Sequence, residues 1–396
     1  MRKLLLASVR PVAPSFAALF LVAAAACGPA SAADMSVLTK APPPPPSGQF
    51  WAEVDYLAWT VKGDKLPALV STSAPGTTLF QAGLLGTPGT SVLFGDATVN
   101  DGWRSGLRFQ GGYWFDPRHT RGIEASFFDL DHASTRFNAG SGGSPILALP
   151  FFDASTNQPN SFLLAFPGFA AGAVSINETS RLLGADALYR QDIAYWGAER
   201  FSALIGYRYL HASDRLGMSS TVSVTGGPGA GTVMSLADTF SATSDFHGLD
   251  LGVAGTYVGG PWMLEWRAKV ALGANLNEAQ INGSTTATLG GVTTPFQGGL
   301  FALSSNIGTY TQTRFAVAPE FSLKAGYRLA PGWRVVAGYD LLYWTGVQRA
   351  GNLVDTTVNS NLLGGGPGGP PQRPQALLNG SPLLAQGFNA GLKYEF

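Results

Sequence analysis

Two short stretches carry the residue types that activate water: Asp129-Leu130-Asp131 and Asp245-Phe246-His247. A carboxylate paired with a carboxylate or an imidazole can act as a general base in hydrolysis. Which side each pair faces decides whether it meets a substrate. Side chains alternate across a strand. With Glu124 and Ser126 turned inward, Asp129 and Asp131 fall outside, and Asp250 turned inward puts Asp245 and His247 outside as well. A bulge in either strand would reverse this. The four histidines, His119, His132, His211 and His247, lack metal-ligand spacing. The glycine runs at 226–231 and 364–369 lack the Lys-Ser/Thr of a phosphate loop. No catalytic residue, metal ligand or cofactor site is expected.

Charged residues of one parity form the denser chemistry. The inward cations are Arg104, Arg108, Arg208, Arg267, Lys269, Arg314, Lys324, Arg328, Arg334 and Lys393. The inward anions are Glu53, Asp55, Glu124, Asp186, Asp250, Glu265, Glu320, Asp340 and Glu395. A selective pore is expected to carry a ring of one sign. These two sets nearly balance, so they are expected to pair with one another.

Ten stretches with period-two alternation must position those charges. They run at about Gly48–Thr60, Trp103–Phe115, Gly122–His132, Arg181–Arg190, Arg200–His211, His247–Tyr257, Trp262–Asn277, Arg314–Arg328, Trp333–Trp344 and Gln386–Phe396. In Trp262–Asn277, one face reads Trp262, Leu264, Trp266, Ala268, Val270 and Leu272, while Glu265, Arg267 and Lys269 occupy the other. A soluble sandwich would bury the apolar face, whereas a membrane barrel turns it to lipid. Connections that alternate short and long favour the barrel. Tight turns fall near Asp116–Thr120, Val258–Pro261 and Leu329–Gly332, a modest one near Gln191–Glu199, and five loops of roughly 30–45 residues lie opposite, the pattern of outer-membrane barrels.

Aromatic placement points the same way. The outward parity carries Phe50, Tyr113, Phe115, Tyr189, Phe201, Tyr257, Trp262, Tyr327, Trp333, Tyr394 and Phe396 at the short-turn end. A ring of amphipathic aromatics at one level is a membrane-interface girdle. Tyr56, Trp103, Phe127, Tyr209, Phe315 and Tyr343 are placed to form a second one. The expected fold is all-β: a transmembrane antiparallel up-and-down barrel of about ten strands. It has long external loops, short periplasmic turns and both termini on the periplasmic side. Simple antiparallel closure pairs Glu53 with Lys393 across the seam. A hairpin hidden in a long loop, for instance at Val292–Leu303, would raise the strand count.

Composition agrees with a membrane setting. Of the 396 residues 13% are charged, about half the share usual in soluble domains, and 51 are glycine. Arg2, Lys3 and Arg10 precede a short apolar run, Ser15–Ala26, and the small residues Ala30-Ser31-Ala32, which reads as a signal peptide over 1–32 cleaved after Ala32. Losing those three basic residues from 25, against 25 acidic, leaves the mature chain three charges negative. This gives no footprint for nucleic acid. Cys27, the single cysteine, leaves with the leader. The residues before it lack the leucine usual ahead of a lipidated cysteine. Residues 33–48 include five consecutive prolines and read as a periplasmic linker, ahead of a barrel over 49–396.

Several short motifs resemble a known family. These are Phe50-Trp51-Ala52-Glu53-Val54-Asp55-Tyr56-Leu57-Ala58-Trp59, Gly102-Trp103-Arg104-Ser105-Gly106-Leu107-Arg108, Gly112-Tyr113-Trp114, Gly184-Ala185-Asp186 and Gly206-Tyr207-Arg208-Tyr209-Leu210. Together, over essentially the whole mature chain, they resemble the putative beta-barrel porin-7 family. The resemblance implies a bacterial outer-membrane barrel and supplies neither catalytic residues nor a substrate. The aromatic last strand, ending Tyr394-Glu395-Phe396, resembles the signal read by barrel-assembly machinery. Outer-membrane lipid and that machinery are the expected partners, with small solutes added if the lumen is open. Three functions follow: a narrow, weakly selective porin for small solutes; a non-conducting structural or surface-interaction barrel presenting its loops; and, more remotely, a rim hydrolase like the omptins, ten-stranded barrels with Asp-Asp and Asp-His pairs.

Overall fold

The computed structural model describes residues 48–366 and 368–396. The expected leader with Cys27 and the cleavage point after Ala32, and the linker up to Ser47, lie outside the described residues.

Alternating sequence becomes ten barrel strands: β1 (Phe50–Val61), β2 (Trp103–Trp114), β3 (Arg121–Leu130), β4 (Ala170–Trp196), β5 (Glu199–Val224), β6 (Val233–Gly259), β7 (Trp262–Leu289), β8 (Gly308–Ala330), β9 (Trp333–Val347) and β10 (Ser381–Glu395). Each pairs antiparallel with its neighbour in the chain. β10 pairs with β1, so the ring closes and leaves no edge toward lipid. Its register sets Glu53 opposite Lys393.

Burial is inverted relative to a soluble sheet. On β1, Phe50, Val54 and Tyr56 are 58%, 45% and 53% exposed, whereas Glu53 and Asp55 are 5% and 0% exposed. Water would drive the opposite arrangement; lipid accepts the apolar face and rejects the charges.

The aromatics at the short-turn end touch in series. Phe50 lies 4.5 Å from Tyr113, Tyr113 5.8 Å from Phe115, and Phe115 6.4 Å from Tyr189. Trp262 meets Tyr327 at 4.8 Å, Trp333 meets Tyr394 at 4.7 Å, and Tyr394 meets Phe396 at 4.7 Å. From Phe201 in this girdle to Tyr209 in the second, β5 runs the length that crosses a bilayer core, about 9–11 residues.

Several strands continue far beyond that band. β4 to β7 are 27, 26, 27 and 28 residues long. The long loop expected between His211 and His247 is therefore mostly strand, and only Thr225–Thr232 connects β5 to β6. Its alternation persists with less contrast: Ala212, Asp214, Leu216, Met218, Ser220 and Val222 are buried, while hydroxyl-bearing residues occupy much of the other face. Val292–Gln297 does form a hairpin, folding back on β7 without joining the ring, so the count stays at ten. Ala133–Ser141 continues β3 along β4 past a one-residue irregularity.

The remaining long connections are ordered too. Val70–Ser73, Thr90–Phe94, Leu147–Asp153, Gln158–Ala165 and Thr357–Val358, drawn from three different loops, form a small sheet. They share an apolar core with the barrel's extended wall. Leu69, Leu149, Phe151 and Leu353 meet Ile176, Leu216, Phe240 and Ile281 of the wall there, joined by Phe301 from the β7–β8 connection. The long-loop end thus carries a packed cap.

Candidate functional site: the lumen

Inward-facing side chains fill the barrel in strata. Nearest the short-turn end is a layer of paired charge. Arg108 bonds Asp55 at 2.8 Å and Asp340 at 3.0 Å; Lys324 bonds Asp55 at 3.1 Å and also Glu53. Arg208 holds Asp186 and Asp250, each at 3.0 Å, and Glu320. Lys269 reaches Asp186 at 3.0 Å and Glu320 at 3.2 Å. Arg267 bonds Glu124 and Glu265, both at 2.7 Å. Arg334 and Lys393 flank Glu395 at 3.3 and 3.6 Å. In a site shielded from water, one unpaired member would cost about 3–5 kcal/mol, which explains why the two signs interleave. The cavity left among these groups measures about 30 Å³, space for a water or two.

Above the charges the same inward parity turns apolar. Leu57, Trp59, Phe128, Leu130, Leu182, Leu210, Phe246, Ala271, Ala318, Leu342, Trp344, Leu383 and Ala385 form one buried cluster contributed by nine of the ten strands. Gly106 stands at the corresponding height on β2, where Leu130 closes against it. Trp59 lies 5.3 Å from Phe128, and Phe246 6.2 Å from Trp344. Trp344 is anchored by its indole N–H, which donates to Asn275 at 2.8 Å. This cluster is a hydrophobic septum across the lumen.

A second ion cluster follows beyond the septum, from Asp64, Glu178, Asp214, Arg104 and Arg349, all buried. The apolar cap lies beyond it.

The structure distributes the sequence-named residues unevenly. Glu53, Asp55, Arg108, Glu124, Asp186, Arg208, Asp250, Glu265, Arg267, Lys269, Glu320, Lys324, Arg334, Asp340 and Lys393 meet in the first charge layer. Arg104 faces inward but joins the second cluster, donating to Ser180 and to the Asn100 carbonyl. Arg314 and Arg328 keep the inward parity of β8 but join neither charge layer. Both are exposed, because they stand on either side of the stretch of β8 where Ala316, Ala318, Ser322 and Lys324 are covered.

Three features escaped the sequence reading. Arg190 is buried against Glu124 and Glu265 at 3.7 and 3.6 Å and shares the parity of Asp186, which was enough to find it. The septum was legible as an inward parity that changes from charged to apolar midway along each strand. The second ion cluster was not legible, since Asp64 and Arg349 come from two long connections far apart in the chain.

The pairs that suggested hydrolysis face outward. Leu130 and Phe246 point into the lumen, leaving Asp129 bonded to Arg181 at 2.9 Å and Asp245 accepting from Tyr209 at 2.6 Å and paired with His211 at 2.8 Å. His247 meets the Tyr207 hydroxyl.

A family model described as Putative beta barrel porin-7 matches residues 51–396. The chain belongs to this family. Membership and fold together make this beta barrel porin-7 protein a bacterial outer-membrane β-barrel. Among curated proteins none matches it. Solved structures similar to it include the outer membrane protease OmpT from Escherichia coli, at 13% identity and TM-score 0.39, covering 89% of this chain and 97% of that one. OmpT of Vibrio cholerae, folded in vitro, is 10% identical with TM-score 0.19, covering 88% and 96%. The anion-selective porin from Comamonas acidovorans is 12% identical with TM-score 0.17, covering 88% and 99%.

Proposed function

We propose that this protein is a sealed outer-membrane barrel whose task is to hold an ordered head, built from its long loops, at the cell surface. The septum carries this reading. A conducting barrel keeps a continuous wet path, whereas here Leu57, Trp59, Phe128, Phe246 and Trp344 meet across the lumen, above a charge layer with a cavity of about 30 Å³. Surplus charge of one sign, which would draw one class of ion, is missing from that layer.

In this reading the long-loop end is external and the short turns are periplasmic. The even number of strands then leaves the start of the first strand and the end of the last both on the periplasmic side, in line with a secreted chain that enters the outer membrane from inside. Outer-membrane lipid covers the apolar wall, and barrel-assembly machinery inserts it. The reading assigns no catalytic role.

The family's name favours a narrow, weakly selective pore for small solutes instead. Planar-bilayer recording on purified, refolded protein separates the two. The sealed reading expects no steps above the bilayer's own background. Reproducible unitary conductance would replace it with the porin reading.

A further inference from the structure

The second ion cluster is the place where the head is fastened to the barrel. Asp64, from the β1–β2 connection, accepts from the Gly351 N–H of the β9–β10 connection at 2.6 Å. Arg349 of that same connection donates to Asp214 on β5, and to the Lys62 carbonyl at 3.1 Å. Glu178 on β4 receives the Asn100 side-chain amide on its carboxylate and, at 3.2 Å, on its backbone carbonyl. Thr135, on the continuation of β3, donates to Asn100 at 2.7 Å. Three connections, Thr135 belonging to the one that follows β3, and the two strands β4 and β5 thus converge on one buried knot.

The knot's charges do not balance. Oxygens of Asp64, Glu178 and Asp214 lie within 4.8 Å of one another, and the guanidinium groups near them are those of Arg349 and Arg104. With every group ionised, three negative charges face two positive ones in a site where Asp64, Glu178, Asp214 and Arg349 are each at most 4% exposed. Glu178 is 0% exposed, and its Oε1 has no hydrogen-bond partner among the described residues. A proton there removes the surplus charge and turns the unpartnered Oε1 into a donor, with carboxylate oxygens of Asp64 and Asp214 as the neighbouring acceptors.

We propose that a proton on Glu178 locks the head to the barrel wall, and that its loss loosens the three connections. This rests on the reading of the loops as a surface head. The groups facing Glu178 set the direction. Burial, then the Asp214 and Asp64 carboxylates, push the Glu178 carboxyl up to about 8, against Arg349 and Arg104. Burial likewise raises Asp64 to about 6, with Arg349 opposing it. Both values lie above the ordinary carboxylate range. Their contribution to folding is therefore complete only below the ordinary carboxylate range of about 4, declines as pH rises above it, and is lost as pH rises through 6 for Asp64 and through 8 for Glu178.

Hydrogen exchange on the full-length protein in detergent, at pH 6 and pH 9 with intrinsic rates corrected, tests this. Exchange should rise about tenfold in Asp64–Leu66, Val70–Ser73 and Leu147–Asp153 at pH 9, while Phe201–Tyr209 stays protected. Glu178→Gln, which carries no charge at either pH, should abolish the difference, as should Asp64→Asn. Equal protection of the wild type at both pH values would overturn the proposal, and so would a wild-type pH response in Glu178→Gln. Conductance of the same sample keeps the two readings apart. The septum lies beneath the knot, so current is expected at neither pH; channels at pH 6 would count against the sealed barrel without altering the exchange result.

Discussion

Glu53 on the first strand and Lys393 on the last stand opposite each other across the seam of the barrel, both turned into the lumen. Neither takes the other as its main partner: Lys324 takes Glu53, and the Lys393 ammonium lies 4.7 Å from the Trp51 ring. The pair therefore reports on register independently of any salt bridge between its members.

Cysteines at these two positions should cross-link. Opposed residues on antiparallel strands have Cα atoms about 4.5–5.5 Å apart, inside the range a disulfide tolerates. Mild oxidation of Glu53→Cys/Lys393→Cys should yield a species that, after heat unfolding, migrates faster than its reduced form. Glu53→Cys/Gly391→Cys, displaced by two positions, should stay reduced; the reverse outcome would mean a shifted seam.

Trp344→Ala should destabilise the barrel by about 3–5 kcal/mol, the cost of a cavity left by a large core residue. The basis is that Trp344 is 0% exposed in the middle of the septum, with Phe246 against it. At the wall of a water-filled pore the same change would stay within about 0.5 kcal/mol. Urea-dependent loss of the heat-modifiable folded band measures the difference.

Removing Phe396 should lower the amount of folded protein in the outer membrane several-fold. Its side chain packs on Tyr394 at 4.7 Å, and its N–H donates to the Phe50 carbonyl at 2.8 Å. Phe396→Ala keeps that hydrogen bond, so it isolates the ring. A low membrane level for Phe396→Ala, alongside normal refolding of the purified variant in detergent, supports recognition of the ring during assembly. Normal membrane levels for both variants would refute it.

The barrel itself was written in local order. Strict alternation in Trp262–Asn277 and its nine counterparts, aromatics at one level and tight turns at one end suffice for ten strands, because period and turn length are properties of neighbouring residues. Parity also identifies the buried charges such as Asp55 and Arg208, and it keeps Asp129, Asp245 and His247 outside. The pattern faded where the β5–β6 hairpin leaves the membrane band, since a wall with hydroxyl groups on its outer face no longer contrasts strongly with loop sequence.

What passes through the barrel, and what holds its loops, depends on meetings between residues far apart in the chain. Trp59 and Phe128, or Phe246 and Trp344, sit on strands two and three apart in the ring, and they join one septum only once the curvature of ten strands turns their side chains toward one another. Asp64, Glu178, Asp214 and Arg349 belong to four separate segments and share one buried knot only after the loops have folded. Alternation determines which side of a strand a residue faces. Closure of the ring and packing of the cap decide what it faces there, because those contacts are set by distances across the barrel that no local pattern encodes.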